Sequence, residues 1–501
     1  MNPSTETADQ APPFRAPEPA HCAAPTSDSG RWTRRELAQL GALIWPGQLM
    51  VVAGIMAANA QPQIAQHFHT TQIAWFSLSF TLATIVATPF AVSFGSAYGK
   101  RRVMLVLAAV GLVGDLVTVL APTYSVMVFG RVIGGLYGPV AALTLAAARD
   151  LFPPRKATVA LGTIAGSLGI LALITPLLSA WLLDTHGWRG ALWFLVGSTL
   201  VAFTALLCIP ETPRRPATGR LDWPGALLLG VALSLTIIAI GQGNAWGWAS
   251  ATVIALFTAA LGSLAGFLIS EMRAEEPIVD LRMLRRRATA TVLLGSSLSQ
   301  AAYFASASIL IFLALYPSIP GVSDGLGWSA LHNAVIGIPG GLVTFGAGIG
   351  VGRAARTVSP RTLWYAALVI LAAGFVCAAL YHSSQLQVIT CSLVIGLGGG
   401  MLMAGQQTMI LSVVTPQEQA AATGMASLLG QVFLTLSSQA LYLTLAADST
   451  TVAGTSFYRD RAFTNAWLLM AALVLTGLLI SAAIPALRCT DDHVSEPADV
   501  S

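Results

Sequence analysis

The chain contains 501 residues, of which 10% are charged and 55% are apolar, and its formal net charge at pH 7 is +4. A soluble globular protein carries roughly 25% charged residues, so this chain has too little polar surface to cover a water-soluble molecule of its size. The composition therefore excludes a soluble protein and favours one that lies in a lipid bilayer.

A polar segment, residues 1–36, opens the chain. It has neither the basic n-region nor the apolar h-region of a signal peptide, and its Pro, Ala and Ser content predicts a disordered tail. Fourteen apolar blocks follow, each close in length to the ~20 residues that a helix needs to cross a bilayer, and residues 488–501 form a second polar tail. The predicted spans are Leu40–Asn59, Ile73–Phe94, Val103–Ala121, Tyr124–Ala147, Thr158–Leu183, Trp188–Ile209, Trp223–Ile240, Ala249–Ile269, Thr291–Leu315, Ala330–Gly350, Leu363–Tyr381, Leu386–Val413, Ala420–Ala446 and Ala466–Leu487.

The basic residues segregate to alternate loops of this arrangement. Of the 26 lysines and arginines, the loops on one side carry only Arg189, Arg459 and Arg461, and Arg131 lies inside a span. Because basic residues stay on the cytoplasmic side of a membrane, both termini are expected in the cytosol, and an odd number of spans would scramble the pattern. Orientation thus explains the arginine excess, and no nucleic-acid partner is expected.

The two halves of the chain show weak internal repetition. Short basic loops, Gly95–Arg102 and Gly352–Arg361, each follow the second helix of a six-helix set, and glycine clusters recur in helices 4 and 12. Repeated halves around a site near the bilayer midplane are common in secondary transporters. The expected architecture is an all-α integral membrane fold with two six-helix bundles, residues 37–210 and 288–487, and a linker, residues 211–287, that carries two extra spans.

Several segments resemble those of a known transporter family. Gly130–Gly162 contains an Arg followed by a Gly-rich run and a basic loop after Phe-Pro, and His186–Leu195 places Trp-Arg at the start of helix 6. Arg220–Leu229 and Glu275–Leu284 flank the two extra spans. Together these segments resemble the major facilitator superfamily, specifically the fourteen-helix branch of its drug:proton antiporters. The resemblance implies a multi-pass transporter of the bacterial inner membrane that exports small amphipathic or drug-like compounds by proton antiport and alternating access.

The resemblance also assigns roles to individual residues. Ser96 and Ala53 occupy positions where the family usually carries Asp, in the gate loop and in helix 1 respectively. The family's hinge-like antiporter segment of helix 5 has Gly-Pro followed by a Gly pair, and this chain has Thr175–Pro176 and then Ser179–Ala180 at those positions, which is a degenerate match. The basic loop after helix 2 corresponds to the family's cytoplasmic gate, which assigns that role to Gly99, Lys100, Arg101 and Arg102.

One pair of charged residues lies well inside the predicted spans. Asp115 is about six residues from the end of helix 3, and Arg131 is about seven from the start of helix 4. At 1.5 Å per residue both lie roughly 10 Å below the outer surface, and charges at that depth need a partner. The two side chains are predicted to form a proton-coupling pair. The alternatives are a static structural pair and an Asp115 side chain that extends toward the outer surface.

Polar side chains in the second half are candidates for a substrate path, although such residues also form ordinary hydrogen bonds between helices. They are Gln300, Tyr303, Gln406, Gln407 and Gln431. No phosphate-binding loop, nucleophile elbow or metal-ligand spacing is found, so neither enzymatic activity, nor a cofactor, nor a metal is expected. The expected partners are a small-molecule substrate, protons and the lipid bilayer, and the protein is expected to be monomeric. A facilitator without proton coupling, or a non-transporting sensor or scaffold, are the alternatives.

Overall fold

The computed structural model describes residues 32–212, 223–273, 281–354, 357–414, 419–452 and 454–482. Nearly all of these residues are helical, and the helices are joined by short turns. Most of the predicted tails, 1–36 and 488–501, and part of the predicted linker lie outside the described residues. The helices are α1 Arg34–Phe68, α2 Ala74–Tyr98, α3 Lys100–Leu120, α4 Tyr124–Gly135, α5 Val140–Leu151, α6 Pro154–Leu207, α7 Trp223–Trp246, α8 Ala251–Arg273, α9 Leu281–Arg285, α10 Arg287–Leu315, α11 Ala330–Ala354, α12 Pro360–Leu380, α13 Gln385–Val413, α14 Gln419–Ala447 and α15 Asp460–Ala482.

Thirteen of the described helical segments are long and apolar enough to cross a membrane. One of them belongs to α6, which contains two of the fourteen predicted spans, and the predicted all-α fold is confirmed. One predicted span is divided, because the chain between α4 and α5 turns at residues 136–139. Two predicted spans instead join in α6, which is interrupted at Gly187 by a left-handed conformation with φ 64° and ψ −171°. Helix α1 extends well beyond Leu40–Asn59 at both ends, because the prediction counted only the apolar stretch that crosses the bilayer core.

Several helices begin where a side chain caps the first turn. Thr33 accepts from the backbone of Glu36, whose carboxylate accepts from the Thr33 N–H in return. Ser384 and Gln387 form the same reciprocal arrangement at the start of α13. Such boxes satisfy the backbone N–H groups that have no partner within the helix.

The described helices pack as two bundles with a peripheral pair. In the first bundle, α1 and α3 pack against α6, and α2 and α3 pack against α4. In the second bundle, α11 and α12 pack against α13, and α10 packs against α14 and α15. The bundles meet along α6–α11, α2–α14 and α1–α10, while α7 lies against α2 and α14 and carries α8 on its other side. The outward side of α8 exposes large apolar side chains, such as Leu261 at 66% and Met272 at 69%, as expected of a surface that faces lipid.

Two short antiparallel hairpins lie at the end of the protein that carries the arginine-poor loops, which we call the outer end, following the predicted orientation. Strand β1 (Ser318–Ile319) pairs with β2 (Ser323–Asp324). Strand β3 (Ser449–Val452) pairs with β4 (Thr455–Tyr458), with Ser449 opposite Tyr458. Both hairpins belong to loops of the second bundle.

Candidate functional site

The first feature of the candidate site is the close approach of α3 and α4. A Cβ added at Gly114 would lie 2.3 Å from the backbone nitrogen of Gly134, and one at Gly130 would lie 2.7 Å from the backbone nitrogen of Thr118. Such distances are too short for any side chain, so the glycines allow the two backbones to touch. This packing brings Asp115 of α3 and Arg131 of α4 into the same buried region.

Arg131 is 2% exposed and has few polar contacts. Its Nε donates to the Phe76 carbonyl at 3.2 Å, and its guanidinium carbon lies 4.8 Å and 4.4 Å from the ring centres of Phe76 and Phe80. Its Nη1 is buried and finds no hydrogen-bond partner in the part of the chain that the structure describes. Two rings at cation–π distance therefore stabilise the cation, while one of its donors remains available.

Asp115 is 3% exposed and accepts a hydrogen bond of 2.7 Å from the Thr199 hydroxyl, which comes from the second half of α6. Asp115 and Arg131 interact electrostatically, but they do not form a direct ion pair in the structure. Asp115 and Arg131 thus lie on adjacent helices, as predicted. The hydrogen-bond partner of the Asp115 carboxylate is the neutral Thr199 hydroxyl, and not the guanidinium of Arg131. Whether the two residues couple protons remains a prediction.

A third polar side chain, Tyr137, completes this cluster. Its ring centre lies 5.5 Å from that of Phe80, and its phenol interacts electrostatically with both Asp115 and Arg131. The Tyr137 hydroxyl is buried and has no hydrogen-bond partner among the described residues. The cluster therefore contains two buried polar groups, Nη1 of Arg131 and the Tyr137 hydroxyl, that the described residues leave unpaired.

The second feature is the basic loop between α2 and α3. Gly99 adopts φ 98°, and a Cβ there would lie 2.5 Å from Oε1 of Glu211, so a side chain is excluded on both counts. Lys100 pairs with Asp150, and Nε of Arg102 lies 3.5 Å from Oε2 of Glu211. The Arg101 guanidinium donates to the carbonyls of Leu206 and Leu207. The predicted gate residues therefore bind acids and carbonyls of the first bundle.

The third feature is a set of polar contacts between the two bundles at the outer end. The Asp184 carboxylate, near the end of the first half of α6, accepts from the backbone N–H groups of Ala330 and Leu331 at 3.0 Å and 2.9 Å. These two groups begin α11, where the helix dipole favours a negative charge. The Tyr442 hydroxyl of α14 donates to Gln61 of α1 at 2.6 Å.

The β3–β4 hairpin adds a further contact at this end. The Thr455 hydroxyl of β4 donates to the Ala65 carbonyl of α1 at 3.4 Å, and the turn residue Gly454 lies close to the His69 carbonyl. Together with the contacts of Asp184 and Tyr442, this docking holds the outer ends of the two bundles against each other.

The fourth feature is a cavity of about 420 Å³ in the outer half of the molecule. The first bundle contributes Ile55 of α1 and Pro176 of α6, and the second contributes most of the wall, including Tyr303, Phe304 and Thr344. Thr175, next to Pro176, is buried. Because proline lacks an N–H group, it removes one hydrogen bond from the α6 ladder beside the cavity.

The polar residues predicted for a substrate path are dispersed in the structure. Tyr303 lines the cavity. Gln300 donates to the Met403 sulfur at 3.7 Å, and Gln406 donates to the Ser296 hydroxyl at 3.5 Å, so both link helices within the second bundle. Gln407 is exposed, Gln431 is half-buried, and neither lines the cavity.

Several residues of the site were not identified from the sequence. They are Tyr137, Thr199, Asp184, Gln61 and Tyr442. Thr199 lies 84 positions from Asp115, and Tyr442 lies 381 positions from Gln61. No local pattern connects positions so far apart, although Asp184 could have been noted as an acid at the end of an otherwise uncharged span.

Comparison with known proteins places these features in a family. Residues 45–438 match the model of the Major Facilitator Superfamily. The tetracenomycin C resistance and export protein of Streptomyces glaucescens is 29% identical over 48% of this chain and 47% of its own length. The probable actinorhodin transporter of Streptomyces coelicolor is 26% identical over 80% of this chain and 71% of its own length. The match thus spans about half of the first of these relatives.

The fold is also that of solved transporters. A partially occluded, inward-open structure of the xylose transporter XylE from E. coli aligns with a TM-score of 0.57 at 12% identity, over 88% of this chain and 96% of that one. At this identity the likeness concerns the fold alone. The family match covers most of the chain, including the first bundle from residue 45, the second bundle up to residue 438, the α3–α4 cluster and the basic loop. The chain therefore belongs to the Major Facilitator Superfamily.

Proposed function

We propose that this protein is a secondary active transporter that exports small amphipathic, drug-like compounds in exchange for protons, by alternating access. The observation that carries the proposal is the buried cluster of Asp115, Arg131 and Tyr137 in the first bundle, together with a cavity lined mainly by the second bundle. The two Streptomyces relatives are named for the export or transport of antibiotics, which supports the direction and the class of substrate.

Alternating access is supported by the way the bundles meet. The contacts of Asp184 and Tyr442 join the two bundles at the outer end through few hydrogen bonds. The ion pairs of Lys100 and Arg102 instead lie inside the first bundle. A rigid rotation of one bundle can therefore break the outer contacts while the cytoplasmic ion pairs keep the first bundle intact.

Proton coupling is supported by the surroundings of Asp115. In the structure its carboxylate is bound by the neutral Thr199 hydroxyl, while Arg131 keeps a free donor nearby. Movement of Asp115 toward Arg131 would favour the ionised carboxylate, and movement back into apolar surroundings would favour the protonated one. A carboxylate that alternates between these positions takes up a proton on one side of the membrane and releases it on the other.

The remaining assignments follow the family. Gly99, Lys100, Arg101 and Arg102 are proposed to form the cytoplasmic gate, and the α6 segment at Thr175 and Pro176 is proposed to bend during the cycle. The protein is proposed to lie in the bacterial inner membrane with both termini in the cytosol, as the arginine distribution requires, and to act as a monomer without enzymatic activity.

The decisive experiment measures flux driven by a pH gradient in proteoliposomes that contain the purified full chain. Asp115→Asn keeps the size of the side chain and its bond to Thr199 but cannot ionise. It is expected to abolish gradient-driven flux and to leave exchange of substrate without a gradient largely intact. Asp324→Asn, the same change at an exposed position of β2, serves as the control and should transport normally. Unchanged driven flux in folded Asp115→Asn protein would rule out the cluster as the coupling site.

A facilitator without proton coupling is the second candidate function. The observation in its favour is that Ala53, at the position of the family's usual helix-1 acid, is fully buried in the core. A facilitator would show equal flux in Asp115→Asn and unmodified protein, with no response of either to a pH gradient.

A further inference from the structure

The helices along which the two bundles meet carry no fixed charge within the membrane. In α2 and α14 no Asp, Glu, Lys or Arg occurs at all. None lies in α1 beyond Glu36, in α10 beyond Arg287, or in α11 before Arg353. In α6 none lies between Lys156 and Asp184. A molecule between the bundles therefore meets no ionised side chain over the depth of the bilayer core.

The cavity has the same character. Its walls combine the aromatic rings of Tyr303 and Phe304 with the hydroxyls of Thr344, Ser306 and Ser392. The Tyr303 hydroxyl interacts with the Thr344 side chain. Apart from tyrosine and cysteine side chains, the titratable group among the described lining residues is His382, at the outer edge. Its Nε2 lies 3.0 Å from the Asp460 carboxylate, and its Nδ1 contacts the Ala378 carbonyl.

The charged cluster is turned away from this cavity. Asp115 and Arg131 lie on α3 and α4, which pack against other helices of the first bundle. None of the described residues that line the cavity comes from α3 or α4. Asp115 is held by Thr199 on the α6 side, so its carboxylate is not offered to a ligand between the bundles.

We infer that the cavity binds uncharged aromatic molecules, and that substrate and proton occupy separate sites. This inference rests on the proposed transport function and names its substrate class. A cation entering the cavity would lose its hydration without gaining a carboxylate partner, which is strongly unfavourable. An uncharged ring system gains ring contacts with Tyr303 and Phe304 and can donate hydrogen bonds to the hydroxyl oxygens of the wall.

Separate sites have a consequence for the charge moved in each cycle. When one uncharged molecule leaves and one proton enters, a net positive charge crosses the membrane inward. A membrane potential that is negative inside then drives export even without a pH gradient. Exchange of a singly charged cation for one proton moves no net charge and would not respond to the potential.

Binding is tested on the purified full chain in detergent, with quenching of tryptophan fluorescence as the signal. The probes are an anthraquinone without ionisable groups and the same ring with a trimethylammonium substituent. The uncharged probe should bind at least tenfold more tightly. In Tyr303→Phe its affinity should fall about fivefold through loss of one hydrogen bond, while Tyr98→Phe, the same change at an exposed position of α2, should have no effect.

A gain-of-function variant keeps the test independent of folding defects. Ile55→Asp places a carboxylate in the cavity wall and should raise the affinity of the cationic probe at least tenfold relative to the uncharged one. Equal or tighter binding of the cationic probe by the unmodified protein would overturn the inference, because the rings alone would then hold a cation. The same protein preparation is also tested in proteoliposomes for transport of the cationic probe driven by a pH gradient. If that probe is transported, the proposed transport function stands and the inference about uncharged substrates fails.

Discussion

The contact between Asp184 and the start of α11 is the most direct link between the bundles at the outer end, and its loss has a calculable effect. Asp184→Ala removes the acceptor of two hydrogen bonds, 3.0 Å and 2.9 Å long, from Ala330 and Leu331. We expect the outer ends to separate more often, so that the outward-open state gains population at the expense of the state seen in the structure.

The size of the effect follows from the exposure of the contact. A hydrogen bond to a charged group contributes about 1.5–3 kcal/mol when buried, but Asp184 and Leu331 are exposed, and water can replace the carboxylate at both N–H groups. Screened surface contacts of charged groups contribute ~0–1 kcal/mol, and a charge at a helix N-terminus contributes ~0.3–1 kcal/mol. A total of about 1–2 kcal/mol changes the ratio of the two states roughly 5–30-fold.

Double electron–electron resonance measures this ratio directly. Spin labels at Arg189→Cys and His332→Cys, both exposed and in different bundles, report the outer separation after the five native cysteines are replaced. Asp184→Asn should show a smaller shift than Asp184→Ala, because its amide oxygen still accepts. Thr185→Ala is the matched control, since among the described residues that hydroxyl is hydrogen-bonded to Trp181 and His186 of its own helix alone. An unchanged distance distribution in Asp184→Ala would refute the assignment of this contact as an outer latch.

Two further predictions concern orientation and packing. A membrane-impermeant thiol reagent applied to intact cells should label Ile319→Cys in the β1 loop and leave Arg286→Cys unlabelled, because arginine-rich loops face the cytosol; the reverse pattern would invert the topology. Gly114→Ala should lower the free energy of unfolding in detergent by about 1–3 kcal/mol and with it the melting temperature, since the added methyl group would overlap the backbone of Gly134. Gly262→Ala, in α8 with open space around the position, should be neutral or slightly stabilising, and equal melting of the two variants would contradict the close-packing argument.

The sequence was sufficient for the class of fold. A helix that crosses lipid must satisfy its backbone internally and present about 20 apolar residues, so each span is a local property that can be read without knowing its neighbours. The arginine pattern is equally local, and it predicts an even number of crossings. The uncharged run of α6 between Lys156 and Asp184 is visible in the sequence as well.

The tertiary structure decided how these local elements combine. It turned Arg131 toward Phe76 and Phe80 and gave Asp115 the hydroxyl of Thr199, because partners in a bundle come from helices far apart in the chain. In the folded molecule, Gln300 and Gln406 form contacts within the second bundle, and Tyr303 lines the cavity. Depth in the membrane follows from position along a helix, at 1.5 Å per residue. The direction in which a side chain points follows from helix rotation and packing, and only the folded molecule determines these.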